Sequence, residues 1–281
     1  MKQLIKRTDA ALGAHYTHSE VSALARIIIT ELLGFSQTAY LLKDNVTLTP
    51  SEEKLFSDAL ERLIAHEPIQ YILGYCDFCG LRFKVSPAVL IPRPETSELV
   101  EWIEQESEAA KHLLDIGTGS GCIAVALAHR LPHTGVTAWD ISPDALTTAS
   151  TNSTANGCNV KFAQCDILTY IPGNEKFDII VSNPPYIKEA EKQEMEKNVL
   201  LWEPHLALFV PDENPLLFYR TIAEKSIQML NAGGKLFFEI NREHGNDIIE
   251  MLASMGYREI TLRKDIAGND RMICAKKPSH L

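Results

Sequence analysis

From residue 111 onward, short apolar runs alternate with helical patterns, and this alternation constrains the chain more than any other feature. Strands that alternate with helices make a parallel sheet covered on both faces. The first run, His112-Leu-Leu-Asp-Ile116, passes straight into Gly117-Thr-Gly-Ser-Gly121 and then into a helix over Cys122 to Arg130. Glycines at such a junction let the backbone approach a ligand closely, and the helix N-terminus offers unpaired N–H groups. Val136 to Trp139 is a second strand, Pro143 starts a helix that Gly157 ends, and Val160 to Ala163 is a third strand. The fourth, Phe177-Asp-Ile-Ile-Val-Ser182, ends at Asn183-Pro-Pro-Tyr186. A helix over Leu216 to Leu230, stopped by Asn231-Ala-Gly-Gly234, leads to a fifth strand at Lys235 to Ile240. After a helix over Ile248 to Met255, Tyr257 to Leu262 and Arg271 to Ala275 are expected to close the sheet as an antiparallel pair.

Two domains are expected for 281 residues. The front third is helical: Leu4, Ile5 and Leu12 mark one helix, Val21 to Leu32 a second behind a Ser19 cap, and Pro50 opens a third with Leu55, Phe56, Leu60, Leu63 and Ile64 on one side. These stripes are the core of a small bundle. After Pro68, Tyr71-Ile-Leu73 and Leu81-Arg-Phe-Lys-Val85, split by Gly74 and Gly80, predict a hairpin linker. Boundaries at 1–70, 71–90 and 91–281 follow. In Leu90-Ile-Pro-Arg-Pro-Glu-Thr96, two prolines stiffen an extended lead into a helix beginning near Thr96. Arg93 between them either has a structural role or lines a substrate entrance. Residues 188 to 215 form a long charged insertion, read by default as a solvated connection.

A net charge of −10 removes the global positive field that gathers phosphate backbones, so a nucleic-acid duplex is disfavoured as a partner. No apolar run reaches the ~18 residues of a membrane span, and Met1-Lys-Gln-Leu-Ile-Lys-Arg7 has no signal-like apolar core. A cytoplasmic location is expected. Six cysteines lack the spacing of a disulfide framework, and Cys76-Asp-Phe-Cys79 has no second ligand pair, so packed thiols are expected and no metal.

The cofactor class follows from what the glycine loop lacks. A dinucleotide fingerprint needs glycine where Cys122 stands, the phosphate loop G-x4-G-K-[ST] is missing, and a nucleophile elbow needs serine where Gly119 stands. Asp140, closing the second strand, can accept both hydroxyls of a ribose. With Gly-x-Gly-x-Gly, this arrangement resembles S-adenosylmethionine-dependent methyltransferases. By that resemblance Gly117, Thr118, Gly119, Ser120, Gly121, Asp140 and Asn183 bind cofactor, Asp166 bonds the adenine amino group, and Leu168 covers the ring. Pro184 and Pro185 have no N–H and fixed φ, which frees turn carbonyls to accept bonds from an incoming NH2 group. On spacing alone, the turn reads equally as structural.

The chain is further identified as resembling methyltransferases that modify the glutamine side chain of peptide chain release factors. The resemblance runs through Pro68-Ile-Gln-Tyr-Ile-Leu-Gly74, Ile91-Pro-Arg-Pro-Glu-Thr96, Asp115 to Gly121, Asn183-Pro-Pro-Tyr-Ile187, Glu203-Pro-His-Leu-Ala-Leu208 and Asp265 to Arg271. It implies an α/β class I methyltransferase fold, with a Rossmann-like seven-stranded sheet, behind an N-terminal bundle that helps bind substrate. It also implies S-adenosylmethionine as methyl donor and a release-factor glutamine as acceptor, with no nucleic acid, no membrane and a monomer. Asn183, Pro184 and Tyr186 would act in catalysis, and these with Pro185 and Arg93 would bind substrate. Two positions depart from the family pattern, Ser97 in place of the first of two glutamates after Pro-Glu-Thr and Asn241 in place of glycine, and carry no assigned role. An exocyclic-amine methyltransferase acting on nucleic acid and a non-catalytic adaptor are the alternatives.

Overall fold

The computed structural model describes residues 1–107 and 110–278, which fall into two compact units. The first comprises Met1–Gly74 together with Glu196–Trp202. Its helices are α1 (Lys2–Leu12), α2 (His18–Ile27), α3 (Gln37–Leu42), α4 (Pro50–Ile64) and α5 (Ile69–Leu73). Thr17, not Ser19, caps α2: its hydroxyl accepts from Glu20 N while the Glu20 carboxylate accepts from Thr17 N. Thr49 and Glu52 repeat this reciprocal cap on α4, with Pro50 at the first helical position. Leu12, Ile28, Ile29, Phe56 and Leu63 fill the bundle core. The expected strand at Tyr71 to Leu73 is instead the single turn α5, ended by Gly74 at φ +81°. Pro68 presets the entry to that turn, and Tyr71 and Ile72 are both buried, a pairing of neighbours that a half-buried strand cannot make. A later segment is also housed here: Lys197–Trp202 is helical, and the Trp202 indole donates to the Ala65 carbonyl at 3.0 Å.

The second unit runs from Tyr75 to Met195 and resumes at Glu203. It opens with the hairpin β1 (Tyr75–Phe78) and β2 (Leu81–Lys84), then α6 (Pro94–Gln105), which starts two residues earlier than expected because Pro94 takes the first helical position. Then come β3 (His112–Ile116), α7 (Cys122–Arg130), β4 (Gly135–Asp140), α8 (Pro143–Ala155), β5 (Val160–Gln164) and β6 (Phe177–Ser182). Beyond β6 lie the short pair β7 (Ile187–Lys188) and β8 (Phe209–Val210), which flank the insertion and its helix α9 (Lys197–Trp202). The chain finishes with α10 (Leu217–Met229), β9 (Leu230–Glu239), α11 (Gly245–Ser254), β10 (Arg258–Lys264) and β11 (Asp270–Lys276).

Seven strands form one sheet in the order β10-β11-β9-β6-β3-β4-β5. β11 is antiparallel to both its neighbours and the other pairs are parallel. Side chains alternate across it: Leu113, Ile179, Val181 and Phe237 face one apolar cluster, which includes residues of α6 and α7, while Leu114, Ile116, Ile180 and Phe238 face another with residues of α10 and α11. Both faces are therefore buried, as a parallel sheet requires. Asn231-Ala-Gly-Gly234, expected to be a stop, is incorporated in β9, where the register with β6 shifts. The fully buried centre of the sheet fixes β3 beside β6, so the two loops that follow these strands emerge side by side at its carboxyl edge.

Candidate active site

The glycine loop is held from three sides. The N–H groups of Gly117 and Thr118 both donate to the Trp139 carbonyl, at 2.8 and 2.9 Å, which pins the loop to the end of β4. The Thr118 hydroxyl donates to Asp115 at 2.6 Å, and Asn152 on α8 donates to the Ser120 carbonyl at 2.8 Å. Asn152 also exchanges bonds with Lys84 N and O, so one buried amide ties hairpin, helix and loop together. Gly117, Gly119 and Gly121 all have positive φ. At Gly121 (φ +80°) a Cβ would stand 3.0 Å from the Ala149 Cβ, so this glycine is required by the close approach of α8.

Asp140 lies beside that loop. Its carboxylate accepts from Gly119 N at 2.8 Å and Ser142 N at 2.9 Å, which fixes its orientation and leaves further lone pairs. Burial raises its pKa, and the backbone N–H groups of Ser142, Gly119 and Ile141 oppose that rise. Asp166 is fixed in a similar way, accepting from Leu168 N at 2.9 Å and the Thr169 hydroxyl at 3.1 Å. Leu168 keeps 40% of its surface exposed and lines the cavity with an apolar face.

At the end of β6, the buried Ser182 hydroxyl donates to the Ile116 carbonyl at 2.7 Å and locks the two strand ends together. Asn183 follows immediately. Neither its side-chain amide nor the Pro184 carbonyl makes a hydrogen bond among the described residues, and the two residues that follow Asn183 are prolines without N–H groups. A cavity of about 240 Å³ collects Gly117, Thr118, Gly119, Ser120, Asp140, Asp166, Leu168, Asn183, Pro184, Pro185 and Arg93 on one wall system. Two expected residues lie outside the lining. Gly121 faces Ala149, and the half-buried Tyr186 ring packs against the apolar cluster under α10, where burial lifts its pKa to about 12.

Several contributors carried no role in the sequence reading. Asp115, fully buried in β3, has its pKa raised by burial to about 7, and its second oxygen has no partner among the described residues. Its signal was a carboxylate inside an otherwise apolar strand. Cys122 and Ile123 at the start of α7, Ala88 to Leu90, and Pro204, Leu206 and Ala207 also line the cavity. Burial pushes the Cys122 thiol up to about 12, so it serves as an inert wall. Asn241 donates from its amide toward the Tyr186 carbonyl at 3.5 Å, while its N–H donates to the Tyr219 hydroxyl at 3.2 Å. Ser97 bonds only its own turn, at the Pro94 carbonyl.

The donor set fits a nucleoside bearing a charged amino-acid tail. Two oriented carboxylates, an apolar Leu168 side chain and a glycine loop in which the buried Ser120 hydroxyl has no partner among the described residues converge there. Fold and site together define a class I S-adenosylmethionine-dependent methyltransferase. The fold is shared at TM-score 0.52 by a methyltransferase from Pyrococcus furiosus, 19% identical over 79% of this chain and 99% of that one. The hMettl16 catalytic domain gives 0.57 at 16% identity, over 85% of this chain and 86% of that one. Residues 94–204 match the methyltransferase small domain and residues 3–74 the PrmC N-terminal domain. Release factor glutamine methyltransferases of Bacteroides thetaiotaomicron and Flavobacterium psychrophilum are 48% and 45% identical, over 93% and 94% of this chain and 95% and 94% of theirs. The chain belongs to the release factor glutamine methyltransferase family, as its motifs led one to expect.

Proposed function

We propose that this protein methylates the side-chain amide nitrogen of a glutamine in peptide chain release factors, within their Gly-Gly-Gln loop, using S-adenosylmethionine. The observation that carries this reading is the pair of free carbonyl acceptors, Asn183 Oδ1 and Pro184 O, on the same cavity as the glycine loop and Asp140. Bound S-adenosylmethionine supplies an electrophilic methyl group on a sulfonium. Asp140 would hold the ribose hydroxyls, Asp166 and Leu168 the adenine, and the loop from Gly117 to Ser120 the amino-acid tail.

An amide nitrogen is a poor nucleophile because its lone pair is delocalised into the carbonyl. Two acceptors in the plane of the incoming NH2 group fix the amide and favour the positive charge that develops on nitrogen. Asn183 and Pro184 have that chemistry, and the Ser182–Ile116 bond prevents them from drifting away from the cofactor loop. Tyr186 supports the turn from behind, through its ring and the Asn241 contact. The proton leaves to solvent after transfer.

The net charge of −10 supports a monomer, and a protein substrate over nucleic acid, and the release-factor reading favours the cytoplasm as the place of action. Among the described residues no helix is long and apolar enough to cross a membrane. Incubation with labelled S-adenosylmethionine and either a release factor or nucleic acid, followed by mass spectrometry, tests the proposal. Label on the glutamine of the release factor is expected. Label on nucleic acid, or on neither, would replace this reading with one of its alternatives.

A further inference from the structure

The wall formed by Pro204, Leu206 and Ala207 belongs to the return leg of the insertion, outside the seven-stranded sheet. Its downstream end is tied by β8 pairing with β7 and by Ile187 N donating to the Leu208 carbonyl at 2.9 Å. Its upstream end is Glu203, a carboxylate only 3% exposed. One Glu203 oxygen accepts from Arg93 at 2.6 Å and the other from Ile91 N at 3.1 Å. Both oxygens are therefore directed at the proline-stiffened segment that supplies the facing wall.

We propose that Glu203 and Arg93 form a latch that sets the width of the acceptor side of the cavity, with Glu203 a positioning residue for the protein substrate. This rests on the release-factor reading given above. Arg93 itself lines the cavity, but its guanidinium is already matched by a buried carboxylate, so it serves the site by holding two walls at a fixed separation. The chemistry suits that task. One buried carboxylate bonded through both oxygens to the same segment leaves an unsatisfied buried group if the two walls part, so they stay joined or separate together. Asp140 and Asp166, proposed to hold the cofactor, lie on other elements, β4 and the loop after β5, and are fixed by Gly119 N and Leu168 N rather than by either latch residue.

The test uses the full chain with Glu203→Gln and Glu203→Ala. Three quantities are read: KM and kcat for release factor, Kd for S-adenosylmethionine by calorimetry, and hydrogen exchange of the peptide spanning Leu90 to Pro94. In that peptide Pro92 and Pro94 carry no amide proton, so the Ile91 signal stands out. Glu203→Ala is expected to raise KM about tenfold, expose the Ile91 amide to exchange and leave cofactor Kd within about twofold. Glu203→Gln, which keeps an acceptor oxygen, should fall between wild type and alanine on both readouts. Unchanged KM in both variants, or cofactor affinity lost in proportion to KM, overturns the latch. Should the wild type fail to methylate release factor, the substrate reading falls while Ile91 exchange still decides the latch: protection that Glu203→Ala does not reduce overturns it.

Discussion

Replacing Asp140 by asparagine isolates the carboxylate proposed to bind cofactor with little change of shape. In the protein its two oxygens each accept a backbone N–H, from Gly119 and Ser142. Asparagine retains one oxygen, so its NH2 group must face one of these N–H donors, and that loop bond is lost. The remaining oxygen carries no formal charge, which weakens the bonds proposed to two ribose hydroxyls. Hydrogen bonds to charged groups contribute about 1.5–3 kcal/mol each, and neutral ones about half that. Loss of one and weakening of two gives about 2–4 kcal/mol, or roughly 30- to 1000-fold in Kd. Titration calorimetry with S-adenosylmethionine reads this directly. The pH dependence has a defined sign: burial raises the Asp140 pKa, so binding to wild type should weaken as pH falls, with a midpoint above the usual aspartate value of about 3.9. Asparagine removes that acid limb. A Kd for Asp140→Asn within about threefold of wild type would refute the assignment.

Other residues give independent tests. Gly121→Ala should lower stability by about 2–4 kcal/mol, from a left-handed alanine and the contact with Ala149, whereas Gly117→Ala, with open space around its Cβ, should lose only about 1 kcal/mol. Equal losses in thermal unfolding would contradict the packing role of Gly121. Burial holds the Glu239 pKa at about 6, above its ordinary 4.5, although Thr96 donates to it and Arg271 attracts it. Because the raised value favours the neutral form, this group's contribution to stability is largest below pH 4.5 and declines as pH rises to about 6. Glu239→Gln should therefore match wild type near pH 4.5 and gain about 2 kcal/mol by pH 7.5. A lower Tm than wild type at pH 7.5 would show that the charge stabilises the fold.

The sheet was legible because both of its faces are buried. His112 to Ile116 and Phe177 to Ser182 are observed at the expected residues, since a short, mostly apolar run stopped by Gly117 or by Asn183-Pro184 leaves few other readings. The strand expected at Tyr71 to Leu73 failed for a related reason. Three apolar residues fit a buried helical turn as well as a strand, and only Pro68 and the tertiary core distinguish them. β7, β8 and the helix at Lys197–Trp202 lay hidden in a charged insertion because each is six residues or shorter and shows no full period. Within the site, residues next to glycine and proline signals were visible. Those acting from a distance were not: Glu203 bonds Ile91 across 112 positions, and no local pattern announces such a pairing.

The central claim is that Asn183 orients the acceptor amide, and Asn183→Ala tests it most directly. Release factor, S-adenosylmethionine and either wild type or variant are combined, and methylated glutamine is followed by mass spectrometry over time. Calorimetry on the same preparations gives the cofactor Kd. Loss of one oriented acceptor should lower turnover by about 10²-fold or more, with cofactor Kd within about threefold of wild type. Methylation at the wild-type rate by Asn183→Ala would contradict the account.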